Sequence, residues 1–241
     1  MGKYRKREKK FLAEGVRCVE QILAHKKVTI EEIVVTESTL EMAERLDAKV
    51  PFYHLSNDDF ATISDTETPQ GMIAICNTPE ESKLSEIRSL KNGLIAAFDA
   101  IQDPGNLGTM IRTASWFGVD ALLFGDGCVD PFHPKVVRST AGATGALNYV
   151  KGDLNKLFDK LESNGWTTCL LDGSESSGNL HNQRFSRKSI LTVGNEGNGI
   201  NPALFKSHRH KIKIDGNSDY VESLNAAVAF SISLFSAQAN N

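Results

Sequence analysis

The chain predicts an α/β protein: a mostly parallel sheet covered by helices, preceded by a smaller α/β unit. Apolar, strand-like runs alternate with amphipathic helical stretches along most of its length. A polar, proline-bearing stretch at 79–91 divides two series of such units. Several apolar runs end in clusters of Gly, Asn, Asp and Glu, the composition expected where a strand stops and a helix begins.

The elements follow in order. Residues 3–10, KYRKREKK, are a basic run. Phe11, Leu12, Val16, Val19, Ile22 and Leu23 recur at helical spacing and predict a first amphipathic helix. EEIVVTES then reads as a strand, TLEMAERLDAK as a helix, VPFYHLS as a strand, NDDFATISDT as a short helix and TPQGMIAICNT as a strand. They make a small domain over 1–78, with a linker at 79–91.

The second domain, 92–241, opens with GLIAAFDAI, a continuous apolar run suited to a central parallel strand. TMIRTASWFG predicts a helix closed by Gly118, VDALLFGDG a strand and PKVVRSTAGATGALN a helix. NYVKG is an edge strand and LNKLFDKLESNGW an amphipathic helix. TTCLLDGSE, SILTVGNEG and HKIKIDG are strands, and VESLNAAVAFSISLFSAQ is the last helix.

A length of 241 residues holds one large domain or two small ones, and 40% hydrophobic with 24% charged residues is ordinary globular composition. A net charge of -3 excludes a globally basic nucleic-acid binder but leaves room for a local patch. Cys18, Cys76, Cys128 and Cys169 are scattered without a C-x-x-C pair, so reduced thiols are expected and a metal site is not. No apolar run approaches the roughly 20 residues of a membrane span, and the charged N-terminus lacks a signal peptide's apolar core. A cytoplasmic location is the expectation.

Three strand-to-helix junctions carry the chemistry. In DPGNLGTMIRTA, Pro104 and Gly105 end a strand and Asn106 is placed to cap the next helix. Arg112 follows six residues later, where it suits a phosphate or carboxylate; a solvated surface arginine is the alternative. GNEGNGI looks like a Rossmann-type nucleotide loop with Asp215 as its acid. Only the 26 residues from Gly216 to Asn241 follow, too few for that topology. Glu196 amid glycines covers no apolar surface, which argues for binding rather than a plain turn. In VESLNAAVAFSISLF, Ser223 and Asn225 precede a helix with small Ala and Ser faces, and Ser223 is a candidate N-cap.

Taken in order, these junctions resemble the motifs of the SpoU (TrmH-type) family of RNA 2′-O-ribose methyltransferases, of the SPOUT class. Asn106 to Ala114 is similar to its first motif, Gly194 to Gly199 to its second, and Ile212 to Ala229 to its third; HPKVVRSTAGA also looks like a family segment. The match covers roughly 92–238. Residues 1–78 resemble, less distinctively, the ribosomal-protein-like α/β domain by which many members bind substrate. Here Asn217 to Val221 lengthen the approach to Glu-Ser-Leu-Asn.

The resemblance implies a trefoil-knotted domain that binds S-adenosylmethionine and methylates a ribose 2′-hydroxyl of ribosomal or transfer RNA. It assigns catalysis to Arg112, Asn106, Glu196, Ser223 and Asn225. The cofactor would be held by Leu171, Asp172 and Gly173, by Gly194, Asn195, Glu196 and Gly197, and by Ile212, Ile214, Leu224 and Asn225. RNA would meet Arg5, Lys6, Arg7, Arg112, Lys135 and Arg138. It also implies a homodimer through the first-motif and last helices, with Ala226, Ala227 and Ala229 as the small face, and needs no metal. The alternatives are a non-catalytic RNA-binding protein on the same fold and a knotted methyltransferase acting on a base nitrogen.

Overall fold

The computed structural model describes residues 2–46, 48–217 and 219–239. The chain runs through α1 (Gly2–Glu8), β1 (Lys10–Glu14), α2 (Val16–His25), β2 (Ile30–Val35), α3 (Leu40–Glu44), β3 (Phe52–His54), α4 (Asn57–Ile63) and β4 (Met72–Asn77). It continues with α5 (Leu84–Arg88), β5 (Gly93–Phe98), α6 (Pro104–Trp116), β6 (Ala121–Phe124), α7 (Pro134–Ser139), β7 (Asn148–Lys151) and α8 (Leu154–Glu162). β8 (Thr167–Leu171), β9 (Gly178–Asn179), β10 (Lys188–Val193), β11 (His210–Lys213) and α9 (Ala226–Ala239) complete it. Two compact units result: 1–80 with 130–146, and 81–129 with 147–241.

The first unit holds a four-stranded sheet ordered β1-β4-β2-β3, antiparallel except for the β2–β3 pair. Its first element corrects the sequence reading. Phe11 and Leu12 lie on a strand, not on the first turns of a helix, and Phe11 and Ala13 are buried in the two-residue alternation of β1. Gly15, at φ 105, turns the strand into α2, where Val19 and Ile22 are buried. The basic run forms α1.

The 130–146 segment, expected as a helix inside the second domain, packs in the first unit instead. Its helix, α7, stops after Ser139, because Ala141 (φ 50) and Gly142 (φ 94) enter left-handed backbone. A Cβ at Gly142 would lie 2.4 Å from Gln21 Cβ, so only glycine allows this approach to α2. Val136 and Val137 are buried, and the Phe132 ring lies tilted against Phe11 with centroids 5.2 Å apart.

The second unit holds a seven-stranded, wholly parallel sheet ordered β7-β6-β5-β10-β8-β11-β9. The chain lays β5, β6 and β7 outward in one direction, then β8 and β11 on the other side, and lodges β10 between β5 and β8. That reversal beside β5 is where an α/β sheet opens a ligand crevice. One face buries Ile95, Leu123, Leu170 and Ile190 against Leu157, Phe158 and Leu161 of α8. On the other, Phe98 meets Phe124 at 5.4 Å and Phe230 of α9 at 5.6 Å. Each such side chain contributes about 1.5–3 kcal/mol by leaving water. The expected linker at 79–91 is more than a tether: it forms α5, and Ile87 is buried in this core.

A buried polar cluster holds the segment between β10 and β11. Arg209, fully enclosed, donates through Nε to Glu162 Oε1 (2.8 Å) and through Nη1 to Asn155 Oδ1 and Leu204 O (both 3.0 Å). Its Nη2 reaches Asp159 Oδ1 (2.8 Å) and Glu162 Oε2 (3.1 Å), so every guanidinium N–H has an acceptor. Burial pushes the Glu162 carboxyl up, but Arg209, Thr168 and His208 outweigh it and hold the group down to about 2.

Candidate functional site

The three junctions converge at the carboxyl ends of the parallel strands. α6 is capped by Asp103, whose Oδ1 accepts from Asn106 N at 2.7 Å, with Pro104 at its first position. Asn106, expected as the cap, therefore has a free side chain. Its Nδ2 donates to Glu196 Oε1 (3.0 Å), and its Oδ1 accepts from Asn225 Nδ2 (3.1 Å). One short chain of hydrogen bonds thus joins residues that lie 90 and 119 positions from Asn106.

The Gly-rich loop after β10 closes on itself through paired Asn195 and Gly199 backbone bonds, both 2.9 Å. Asn195 Oδ1 accepts from Gly197 N and Asn198 N (both 3.0 Å), while its Nδ2 donates to Ala100 O (2.8 Å). A Cβ at Gly194 would come within 2.4 Å of the Gly199 and Ile200 backbone, so this tight return requires glycine. Asp99 Oδ2 accepts from Asn201 N at 2.6 Å, a second tie between the same two loops; burial raises its carboxyl above the usual value.

Beside this junction lies a cleft of about 280 Å³. β8 and its exit contribute Leu171, Asp172 and Gly173, the Gly-rich loop Gly194, Asn195 and Glu196, and β11 with its exit Ile212 and Ile214. Ser223 and Leu224 line the remaining wall. Of the expected cofactor residues, Gly197 and Asn225 stand outside these walls: Gly197 is held by Asn195, and Asn225 faces Asn106. Glu222 and Lys213 also line the cleft, with Val193, Gly199, Ala226 and Ala229, which the sequence reading did not assign to the cofactor. Glu222 directly precedes the Ser-Leu-Asn signal, which pointed to it. A larger cleft of about 500 Å³, beside Gly93 and Arg187, lies at the amino ends of β5 and β10 and holds none of the motif residues. The smaller one occupies the position where α/β sheets take ligands.

The last helix begins later than expected. Asn225, not Ser223, caps α9, its Oδ1 accepting from Ala227 N (2.9 Å) and Val228 N (3.3 Å). Ser223 stays exposed on the cleft wall. Arg112 is exposed on α6, and its side chain makes no hydrogen bond or ion pair with any described residue. Asp172 is pushed up by burial, but the Ser174 and Ser177 hydroxyls outweigh that and hold it below the usual carboxylate value. Burial drives the Cys18 and Cys128 thiols up to about 11 and Cys169 to about 12, so these are not nucleophiles at neutral pH.

The expected RNA contacts divide. Arg5 is occupied, its Nε and Nη2 both on Asp130 Oδ2 (3.1 and 2.8 Å). Arg138 is turned to Glu14 and Asp65, 3.8 Å from each. Arg7 pairs with Glu8 at 2.6 Å, while Lys6 and Lys135 are exposed without an ion partner among the described residues.

Comparison with known proteins gives the same picture from outside. Residues 93–235 match the SpoU rRNA Methylase family and 1–74 the MRM3-like substrate binding domain. The chain is 36% identical to the 23S rRNA (guanosine(2553)-2′-O)-methyltransferase RlmP of Bacillus subtilis, over 97% of this chain and 90% of that one. An AdoMet-bound rRNA methyltransferase from Sinorhizobium meliloti superposes with a TM-score of 0.85 at 25% identity, covering 99% of this chain and 90% of that one. A TrmH-family putative RNA methyltransferase from Porphyromonas gingivalis gives 0.82 at 29% identity, covering 100% and 94%.

Proposed function

The chain belongs to the SpoU rRNA methylase family, and we propose how its own residues serve that family's reaction. It is an S-adenosylmethionine-dependent RNA methyltransferase acting on a ribose 2′-hydroxyl, built on the SPOUT class of α/β fold. The full-length match to the Bacillus subtilis enzyme favours ribosomal over transfer RNA as the substrate.

The cleft fits the methyl donor chemically. Leu171, Ile212, Ile214 and Leu224 offer carbon walls for a purine. Asp172, Glu196 and Glu222 are carboxylates suited to a cationic ligand. The donor supplies an electrophilic methyl group on a sulfonium. The chain must orient a weakly nucleophilic hydroxyl, provide for its proton and exclude water.

Arg112 grips the RNA phosphate beside the target ribose and orients the hydroxyl. An arginine stays protonated, so it serves as a clamp rather than a base. Asn106, fixed between Glu196 and Asn225, holds the three motifs in one arrangement at the cleft mouth. That hydrogen-bonded junction is the observation that carries the reading. Arg112→Ala is expected to lower methyl transfer from labelled S-adenosylmethionine to ribosomal RNA by about 10²–10³-fold. Calorimetric binding of the methyl donor should be unchanged; equal loss of both refutes the clamp.

The working unit is a homodimer formed through α6 and α9. Ala227 is buried within the chain, while the half-exposed Ala226 and Ala229 line the cleft. Trp116 (85% exposed), Val228, Ile232 and Phe235 (63%) instead form an apolar surface that a second copy would cover. The four free cysteines are in keeping with a cytoplasmic location.

A further inference from the structure

We propose that the first unit carries a slot for one unpaired RNA base, between α1, β1 and the start of α7. The inference rests on the methyltransferase reading for its ligand class but concerns a site remote in sequence from the three motifs. A groove of about 240 Å³ opens there, with Tyr4, Phe11, Leu12 and Pro134 among its walls. The stems of Arg5 and Lys10 and the Glu8 side chain complete it.

The groove is held open by contacts that do not fill it. Arg5 ties α1 to Asp130 through two hydrogen bonds, and Phe11 is fixed against Phe132 at 5.2 Å. Lys10 is anchored to Glu31 at 2.5 Å, so it is a wall rather than a free cation. Tyr4 remains 62% exposed, with Arg7 only 4.9 Å from its ring centroid. Exposed aromatic carbon at the mouth of an apolar groove calls for a flat, apolar partner.

Charge selects which partner. Lys3, Lys6 and Lys9 on or beside α1, and Lys135 next to Pro134, are exposed and carry no ion pair with any described residue. Against them stands Glu8, itself paired with Arg7 at 2.6 Å. An apolar slot rimmed by unpaired ammonium groups is complementary to an aromatic ring on a polyanionic backbone. A single-stranded nucleic acid has that chemistry: bases stack on aromatic side chains while lysines hold phosphates. An apolar peptide would leave those cations unused, and an acidic one would not fill the groove.

The test uses the full chain and a fluorescein-labelled ten-nucleotide oligoadenylate, compared with the same oligonucleotide carrying abasic sites. Wild type should bind the base-bearing strand more tightly. Tyr4→Ala should weaken that binding by about 5- to 150-fold and leave abasic binding unchanged, and Tyr4→Phe should restore it. Lys6→Ala or Lys135→Ala should each flatten the salt dependence of log K by about 0.7. Equal affinity for both strands, an unaffected Tyr4→Ala, or a shift of Tyr4→Ala from dimer to monomer in light scattering overturns the slot. Wild type that binds no S-adenosylmethionine and methylates no RNA overturns the functional reading instead. An active wild type with an indifferent Tyr4→Ala overturns the slot alone.

Discussion

Two arginines of the second unit stand in opposite circumstances. Arg209 is wholly enclosed, and all its N–H groups are taken by Asn155, Asp159, Glu162 and the Leu204 carbonyl. Arg112 is exposed on α6, with no described partner. A guanidinium whose donors are all spent inside the fold has nothing left for a ligand. One held on a rigid helix with its donors free can take a phosphate the moment RNA arrives. Saturation of donors, more than residue type, separates the arginine that holds the fold from the one left open to a ligand.

The contrast can be broken from either side. Arg209→Met should cost the most, about 3–5 kcal/mol, because Glu162 is left enclosed without its counter-charge. At roughly 2–4 °C per kcal/mol that lowers Tm by roughly 10 °C in calorimetry; a loss below about 1 kcal/mol would mean the cluster is incidental. Arg112→Ala, with its large loss of methyl transfer, should leave Tm within the change produced by about 0.5 kcal/mol. A folding defect there would place the two arginines in one class.

Acid sharpens the comparison further. The Glu162 carboxyl is depressed from 4.5 to about 2, so its stabilising contribution is fully present above about pH 4.5. It is lost as the pH falls toward about 2. Thermal melts of wild type between those values should fall more steeply than those of Arg209→Met, and parallel curves would contradict the assignment. The smallest effect on chain stability belongs to Phe235→Glu. It should leave Tm almost unmoved while converting dimer to monomer in light scattering. A dimer that persists would show that another surface joins the copies.

The strand-to-helix junctions were legible because they break the apolar pattern abruptly. Asn106 and Glu196 follow closely on apolar strands, Ser223 stands where the last helix is about to open, and no core explains them. Their hydrogen bonds were not legible: Asp103 took the capping role, which released Asn106 to join Glu196 and Asn225. Phe11 and Leu12 fit helical spacing with Val16 and Val19, which hid a five-residue strand before Gly15. Arg209 lay within a basic HRHK stretch that reads as surface. The hint was across the chain, where Asn155, Asp159 and Glu162 recur on one side of an amphipathic helix. The partners of Arg5 and Arg138 were hidden for a related reason, since a sequence shows the charge but not the distant carboxylate that pairs with it.

The excursion of residues 130–146 into the first unit has a practical consequence for anyone recombining these proteins. Three breaks in the polypeptide, after residues 80, 129 and 146, are needed to excise the N-terminal module. Removing residues 1–80 would strand Val136 and Val137 without the surface that shelters them. A chimera that exchanges this module with a relative must carry both stretches as a matched pair, so that each keeps the apolar surface it was shaped against.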